Sequence, residues 1–327
     1  MFEAIISKIE QYDSIVIFGH LNPDGDCYGS QIALRNILKT RYPEKKIYCV
    51  GSGLKKFFDI LGKMDVVSDE IIAQSLAIVL DSNDINRLED QRAWKARDFA
   101  KIDHHIDTYT FHEGPEVIDD TATSTCELIY RFAKENNFEI DLIAGSALYL
   151  GMMTDTARFQ FANNFVRMFE IARDLCDLGV DPILLNKTNN LVPEISITIK
   201  SFIYSHVKKD KRGIIYAIAT KKDREQLGVT SAQICANRSL LSYVTGYPVW
   251  LIASETDNGG MQVEMRSSTF DIQKIATHFG GGGHTFAAGF TYKKFGPEVI
   301  NELLDLLAGV VKKGNEQNVG RTTPCRD

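Results

Sequence analysis

The sequence predicts an α/β protein of two domains: a doubly wound, mostly parallel sheet, then a helical connector, then a smaller α/β domain. Three observations predict this. The chain has 327 residues, 44% hydrophobic and 24% charged, which is globular in composition and long for a single core. Its first half alternates short β-rich apolar runs with helix-like segments, the pattern of strands joined by crossover helices. The pattern then changes after a polar stretch, NKTNNLVPE at 186–194, as expected where one domain gives way to another.

The strand-like runs of the first half are SIVIFG (14–19), KKIYCV (45–50), LAIVL (76–80) and DFAKI (98–102). Helices are expected over 29–40, 123–136, 142–153 and 165–178, the last stopped by Gly179 and followed by Asp181-Pro182. In the second half, IIYAIAT (214–220), VWLIASE (249–255), MQVEMRS (261–267) and AAGFTY (287–292) read as strands. The expected boundaries are 1–186 for the first domain, 187–204 for the connector and 205–313 for the second domain. The polar tail 314–327, GNEQNVGRTTPCRD, has no hydrophobic period and is expected to be disordered.

Composition excludes several classes. With 37 Lys+Arg against 43 Asp+Glu the net charge is −6, so the chain lacks the basic surface that wrapping long duplex DNA requires. The six cysteines (27, 49, 126, 176, 235 and 325) show no CxxC spacing, which points to a reducing compartment and no zinc site. The N-terminal MFEAIISKIEQYDSIVIFGH has neither a long apolar segment nor a small-residue cleavage site. A cytoplasmic protein without signal peptide or membrane span is expected.

The densest chemical signal is His20-Leu-Asn-Pro-Asp24-Gly-Asp26, where the first strand run passes into a helix. Pro23 stiffens this loop, Gly25 is read as a sharp turn between two carboxylates, and Gly29-Ser30 as the opening of the next helix. The event recurs: LAIVL ends in Asp81, and DFAKI ends in Asp103-His104-His105. A fourth piece, GMMTDTARF (151–159), places Asp155 beyond an apolar helix, where an acid is costly unless paired or metal-bound. Each residue alone has an ordinary explanation: Asp24 and Asp26 as turn residues, Asp81 as a helix cap, Asp155 as a partner of Arg158. Together they bring two imidazoles, His20 and His104, and four carboxylates, Asp24, Asp26, Asp81 and Asp155, to one edge of a sheet. No thiolate stands in that pattern. Oxygen with imidazole suits Mn²⁺ or Mg²⁺ over structural zinc, and six ligands suit two cations sharing a carboxylate, an arrangement that hydrolyses phosphate esters.

These residues resemble the DHH phosphoesterase family, whose motifs appear as HLNPDGD (20–26), DSND (81–84), DHH (103–105) and GMMTDTARF (151–159). In the second half, FGGGGHTFAAGF (279–290) and VEMRSS (263–268) resemble the glycine-rich signature and arginine strand of the DHH-associated substrate domain. The resemblance implies that His20, Asp24 and Asp81 hold one Mn²⁺ and that Asp26, Asp81, His104 and Asp155 hold another, with Mn²⁺ preferred and Mg²⁺ an alternative. It implies that His105 faces the scissile phosphate, that Asp103 orients His104, and that Arg158, Arg266, Ser267, Gly281, Gly282, Gly283 and His284 contact the substrate. Ala157 stands where relatives often carry glycine.

The subfamily most resembled is that of the bacterial nanoRNases with pAp phosphatase activity. It implies release of nucleoside monophosphates from RNA of two to five nucleotides, and 3′-dephosphorylation of pAp to AMP, at a cleft closed by both domains. Short single-stranded RNA or DNA oligonucleotides, or pAp, are the expected partners, with a homodimer left open. Alternatives are a phosphodiesterase for linear dinucleotides from cyclic-dinucleotide breakdown, a single-strand DNA exonuclease, a pyrophosphatase, and a nucleotide-binding regulatory module without chemistry.

Overall fold

The computed structural model describes residues 1–82, 84–105, 113–162 and 164–319, with only the backbone of Ile85, His284 and residues 315–319. Chain contacts divide it into two units, 1–191 and 192–327. In chain order the first unit contains α1 (Glu3–Gln11), β1 (Ser14–Phe18), α2 (Gly25–Arg41), β2 (Lys46–Cys49), α3 (Phe58–Leu61), α4 (Asp69–Gln74), β3 (Leu76–Leu80), β4 (Asp98–Asp103) and β5 (Glu116–Ile118). Helices α5 (Thr125–Glu135), α6 (Leu142–Asp155), α7 (Phe165–Asp177) and α8 (Pro182–Asn189) follow.

The apolar runs are strands because they are covered on both sides. Ile15, Ile17, Ile78 and Ile102 point into one core with residues of α1, α2, α5 and α6. Val16, Phe18, Val79 and Phe99 point into another with Ile72, Leu88 and Ala93. Continuous rather than alternating hydrophobicity is what a parallel sheet buried on both faces requires. The strand order is β2-β1-β3-β4-β5, all parallel, so the order reverses between β1 and β3. Loops leaving the carboxyl ends of those two strands diverge there and leave a crevice. The short β5 was not expected from sequence; its three residues, Glu-Val-Ile, are too few for a period to show.

Helix α2 begins at Gly25, earlier than Gly29-Ser30 suggested, because Asp24 caps it: its Oδ1 accepts from Asp26 N and Cys27 N, each at 3.0 Å. Gly25 is therefore the first residue of a helix and not a sharp turn. Its need for glycine is proximity: an added Cβ would stand 2.2 Å from Thr154 Oγ1. One turn on, a Cβ at Gly29 would lie 2.4 Å from the Ala147 carbonyl oxygen. These glycines let α2 and α6 approach backbone to backbone, which brings Asp26 beside the carboxyl end of α6.

The second unit contains α9 (Ile195–Ser205), β6 (Lys208–Asp210), β7 (Ile214–Ala219), α10 (Lys221–Leu227), α11 (Ser231–Cys235), β8 (Val249–Glu255), β9 (Met261–Ser267), α12 (Gln273–His278), β10 (Gly282–His284), β11 (Ala287–Tyr292) and α13 (Pro297–Val319). Its sheet runs β10-β11-β9-β8-β7-β6, antiparallel except for β7 with β8. Helices α12 and α13 cover one face, and α9 and α11 the other. The helix read as a connector, α9, buries Ile199 and Ile203 in this second core. Helix α13 continues to Val319, so residues 314–319 are helical where composition suggested disorder; residues 320–327 lie outside the described residues. The glycine run 280–283 is in part a strand, β10, paired antiparallel with β11.

Candidate metal centre and phosphate-binding face

The acids and imidazoles of the first unit meet at the crevice between β1 and β3. His20 leaves β1, Asp81 leaves β3, Asp103 ends β4, and Asp155 ends α6. Asp81 adopts the left-handed conformation, φ 57°, and does not start a helix. A non-glycine residue held there is strained backbone of the kind found at functional sites.

Distances show the convergence. His20 Nε2 lies 3.5 Å from Asp81 Oδ2 and 3.9 Å from Asp24 Oδ1. His104 Nε2 lies 3.8, 3.6 and 3.6 Å from oxygens of Asp26, Asp81 and Asp155. That nitrogen is buried and has no hydrogen-bond partner. Ligands around an octahedral cation with bonds of about 2.1 Å stand about 3.0 Å apart when adjacent and about 4.2 Å when opposite. The observed spacings fall between these limits, so an orphaned imidazole nitrogen ringed by three carboxylates fits a divalent cation and fits poorly as a hydrogen-bond network.

Electrostatics agree. Burial, then the charges of Asp81, Asp155 and Asp24, pushes the Asp26 carboxyl well above its ordinary value. Burial, then Asp81 and Asp24, pushes Asp155 up to about 7. Burial would also raise Asp81, but its hydrogen bond with His20 and the neighbouring imidazoles hold it below the usual carboxylate value. Burial pulls His20 down, yet Asp81, the Leu21 backbone and Asp24 carry it up to about 9. Like charges brought together without a cation repel one another's ionised forms, and a bound cation reverses that.

One sequence expectation is corrected here. Asp103 does not orient His104: its Oδ1 accepts from His105 Nδ1 at 2.8 Å and from His105 N at 3.1 Å. Against the pull of burial, this bond with Asp103 raises the His105 imidazole above its ordinary value, while the backbone of Ala122 holds His104. A thiol also stands in the cluster, since the Cys27 sulfur lies within 4.8 Å of donor atoms of His20 and Asp81. Burial, then Asp81 and Asp24, pushes that thiol well above its ordinary value, and its sulfur accepts from His20 N at 3.2 Å. A thiol raised in this way is a poorer ligand than the carboxylates and imidazoles around it.

Sequence reasoning missed the N-terminus of α5. Asp26 Oδ2 accepts from Thr125 N at 2.7 Å, and Oδ1 from Cys126 N at 2.9 Å. Thr125 Oγ1 donates to Asp81 Oδ1 at 3.1 Å. Ser124-Thr-Cys-Glu127 carries the capping signature that starts a helix, and Ser124 does cap it. Which acid the helix end would face depended on the strand order.

Arg158 is directed away from Asp155. Its Nε donates to Asn186 Oδ1 at 3.0 Å and its Nη2 to Asn190 Oδ1. It sits in a left-handed turn with Ala157 and Phe159, φ 48°, 61° and 63°, a conformation glycine adopts without strain. Buried Thr156 holds the turn, its carbonyl accepting from Gln160 N and Phe161 N and its Oγ1 from Phe159 N.

In the second unit, β9 alternates strictly, with Met261, Val263 and Met265 buried under α12 and α13. Arg266 therefore projects from the opposite face. Strand register puts Arg266 opposite Ala287, and Ala287 opposite His284. Ser267 belongs to the other face, where it is buried and its Oγ accepts from Thr269 N and Phe270 N. The glycines divide by cause: Gly281 packs where a Cβ would stand 2.2 Å from the Gly289 oxygen, and Gly283 has φ 134°, whereas Gly282 faces open space. Packing and conformation leave Gly282 unexplained.

Comparisons with known proteins place this arrangement. Residues 14–152 match the DHH family N-terminal domain, and 200–313 match the DHHA1 domain. The chain is 32% identical over 316 residues to the bifunctional oligoribonuclease and PAP phosphatase NrnA of Mycoplasma genitalium, covering 94% of this chain and 96% of that one. It is 30% identical to the protein of the same name from Bacillus subtilis, covering 88% and 92%. The fold is shared with an exopolyphosphatase-related protein of Bacteroides fragilis, at TM-score 0.84 and 22% identity over 94% and 96% of the two chains. Sheet order, the clustered acids and imidazoles, and likeness over almost the whole length agree: the chain belongs to the DHH family and is a phosphoesterase.

Proposed function

We propose that this phosphoesterase hydrolyses RNA of two to five nucleotides to nucleoside monophosphates and removes the 3′-phosphate of pAp, in the cytoplasm and with two divalent cations, Mn²⁺ preferred. The observation that carries the reading is the orphaned His104 Nε2 ringed by Asp26, Asp81 and Asp155. The NrnA proteins of M. genitalium and B. subtilis support the choice of substrate through their likeness over most of the chain.

His20, Asp24 and Asp81 would hold one cation, and Asp26, Asp81, His104 and Asp155 the other. When bound, the cations lower the pKa of a water and neutralise charge on phosphate oxygens. Asp81, which would serve both, accepts a hydrogen bond from Thr125 Oγ1 that restrains its carboxylate. Asp103 holds His105 by its Nδ1, leaving Nε2 to donate to a phosphate oxygen as negative charge grows there. Arg266 supplies a fork for a phosphate of the substrate, and the open backbone at Gly282 lets that phosphate come close.

The test is a comparison of kcat/KM, with Mn²⁺, on an RNA dinucleotide, a 24-mer, pAp and pyrophosphate. Fast release of mononucleotide from the dinucleotide, together with phosphate from pAp, is expected. Preference for the 24-mer or pyrophosphate overturns the substrate assignment, and absence of turnover on all four leaves a nucleotide-binding protein.

A further inference from the structure

Arg266 does not stand alone on its face of the second sheet. Register puts Glu264 two residues before it on β9, opposite Gly289, and Gly289 opposite Gly282. Beside the two charged residues the sheet thus offers Ala287, Gly289 and Gly282, with His284 at the register position next to Ala287. From the segment between α11 and β8, Arg238 reaches the same carboxylate. Its Nε lies 3.7 Å from Glu264 Oε2, and Arg266 Nη1 lies 3.3 Å from that oxygen.

Two guanidiniums thus share one carboxylate, leaving the locus one positive charge in excess. The Arg238 pair is longer than a hydrogen bond. Arg266 Nη1 is also committed to the Met265 carbonyl at 2.6 Å, and Arg238 Nη1 reaches only the Ala236 carbonyl at 3.5 Å. Among the described residues no hydrogen bond uses Nη2 of either arginine. Burial, then the positive charge of Arg238, pulls Arg266 below its ordinary value, so the two cations feel each other across Glu264. The carboxylate has a made seat: a Cβ on Gly289 would stand 3.0 Å from Glu264 Oε1.

We propose that Arg238 and Arg266 together form a receptor for a terminal phosphomonoester of the substrate, with Glu264 as the resident counter-ion that the phosphate must displace. The chemistry favours that group. A phosphomonoester brings up to two negative charges and three acceptor oxygens to two forks, whereas an internal phosphodiester brings one charge and competes poorly with a carboxylate already in place. Glu264 is then a selectivity element, raising the requirement on any anion that binds. Arg238 is a specificity-determining residue, distinct from the groups at the metal centre. This inference rests on the proposed function for its choice of substrates.

The experiment compares the dinucleotides pApA and ApA, which differ only in the 5′-phosphate, in the full-length protein with Mn²⁺. Arg238→Ala is expected to raise KM for pApA at least about tenfold while kcat at saturation changes less than about twofold, so that preference for pApA over ApA collapses. Arg238→Lys should restore part of that preference. Glu264→Gln should lower KM for both and narrow the preference from the other side. An Arg238→Ala protein with unchanged melting temperature that loses kcat/KM equally on both dinucleotides, or on neither, overturns the proposal. Calorimetric titration of pAp into the metal-free protein separates this from the functional reading. If the wild type hydrolyses no substrate, that reading fails, while at least about tenfold weaker pAp binding by Arg238→Ala still supports the receptor and unchanged binding overturns it.

Discussion

At the residue scale the centre turns on Asp81, which touches His20, His104 and His105 through its two oxygens and receives Thr125 Oγ1. Asp81→Asn replaces one acceptor oxygen with a donor and removes the charge that the two proposed cation positions would share. It is expected to reduce kcat by about a thousandfold or more and to weaken Mn²⁺ binding at both positions; a calorimetric Mn²⁺ titration that returns the wild-type stoichiometry and affinity refutes the bridging role. Two groups lead the pH dependence of the metal-free protein, with Asp26 and His105, both raised, acting in the same sense and His104, lowered, opposing them. Asp155, with its pKa carried to about 7, binds more protons folded than unfolded, so the stability it contributes is present below the ordinary carboxylate value and is lost as pH rises through about 7. His20, carried to about 9, acts with the same sign, and its contribution disappears as pH rises from about 6.5 through 9. Melting temperature without metal should therefore fall from pH 4 to 9, and saturating Mn²⁺ should flatten or reverse the trend; a metal-free melting temperature that rises over that range contradicts the assignment.

At the scale of elements, the centre depends on two helices brought unusually close to their neighbours. The end of α5 holds Asp26 by two backbone amides, and its Thr125 hydroxyl reaches Asp81. Thr125→Val keeps the shape and removes the donor, so Mn²⁺ affinity should fall about 10- to 100-fold, as when an outer-shell partner of a ligand is lost. Thr125→Ser should restore it; equal affinity in wild type and Val variant would show the hydroxyl to be incidental. Gly29 argues the opposing case of packing against propensity. Alanine gains about 1 kcal/mol of helix propensity over glycine, but its Cβ would stand 2.4 Å from a backbone oxygen of α6, which cannot rotate aside. Overpacking of that kind costs about 1–3 kcal/mol. Gly29→Ala should lower the melting temperature by a few degrees and weaken Mn²⁺ binding, because α2 carries Asp26. An unchanged melting temperature would mean that α6 yields. These contacts also mark the limit of what the sequence discloses. The four main strands and the acids at their ends were legible because hydrophobic runs and their terminating residues are local patterns. The role of Thr125, the pairing of Asp103 with His105 instead of His104, and the reason for Gly25 were not, since each depends on which strand or helix lies beside which.

At the scale of the whole molecule, residues 1–191 and 192–327 each have their own apolar core. Phe2 through Leu185 fill the cores of the first unit, and Ile199 through Val311 those of the second. The polar stretch at 186–194 marked this division in the sequence, but it did not show that α9 belongs to the second core, because its apolar residues look alike whether they serve a connector or a domain. All six residues assigned to the metal centre lie between His20 and Asp155, whereas Arg238, Glu264, Arg266 and Gly282 lie in the second unit. Separate cores predict that each unit folds alone, so cation binding and phosphate recognition should be separable in a way that catalysis is not. A fragment of residues 1–191 is expected to unfold cooperatively and to bind Mn²⁺ within about threefold of the full-length affinity, since no proposed ligand is missing. Its kcat/KM on pAp should fall by at least about a hundredfold, because the binding energy of the remote phosphate is no longer available to position the scissile one. Thermal unfolding, Mn²⁺ calorimetry and pAp hydrolysis on the fragment decide it. Full kcat/KM in the fragment would remove the second unit from substrate recognition, and loss of Mn²⁺ binding by a folded fragment would mean that the second unit supplies part of the metal centre.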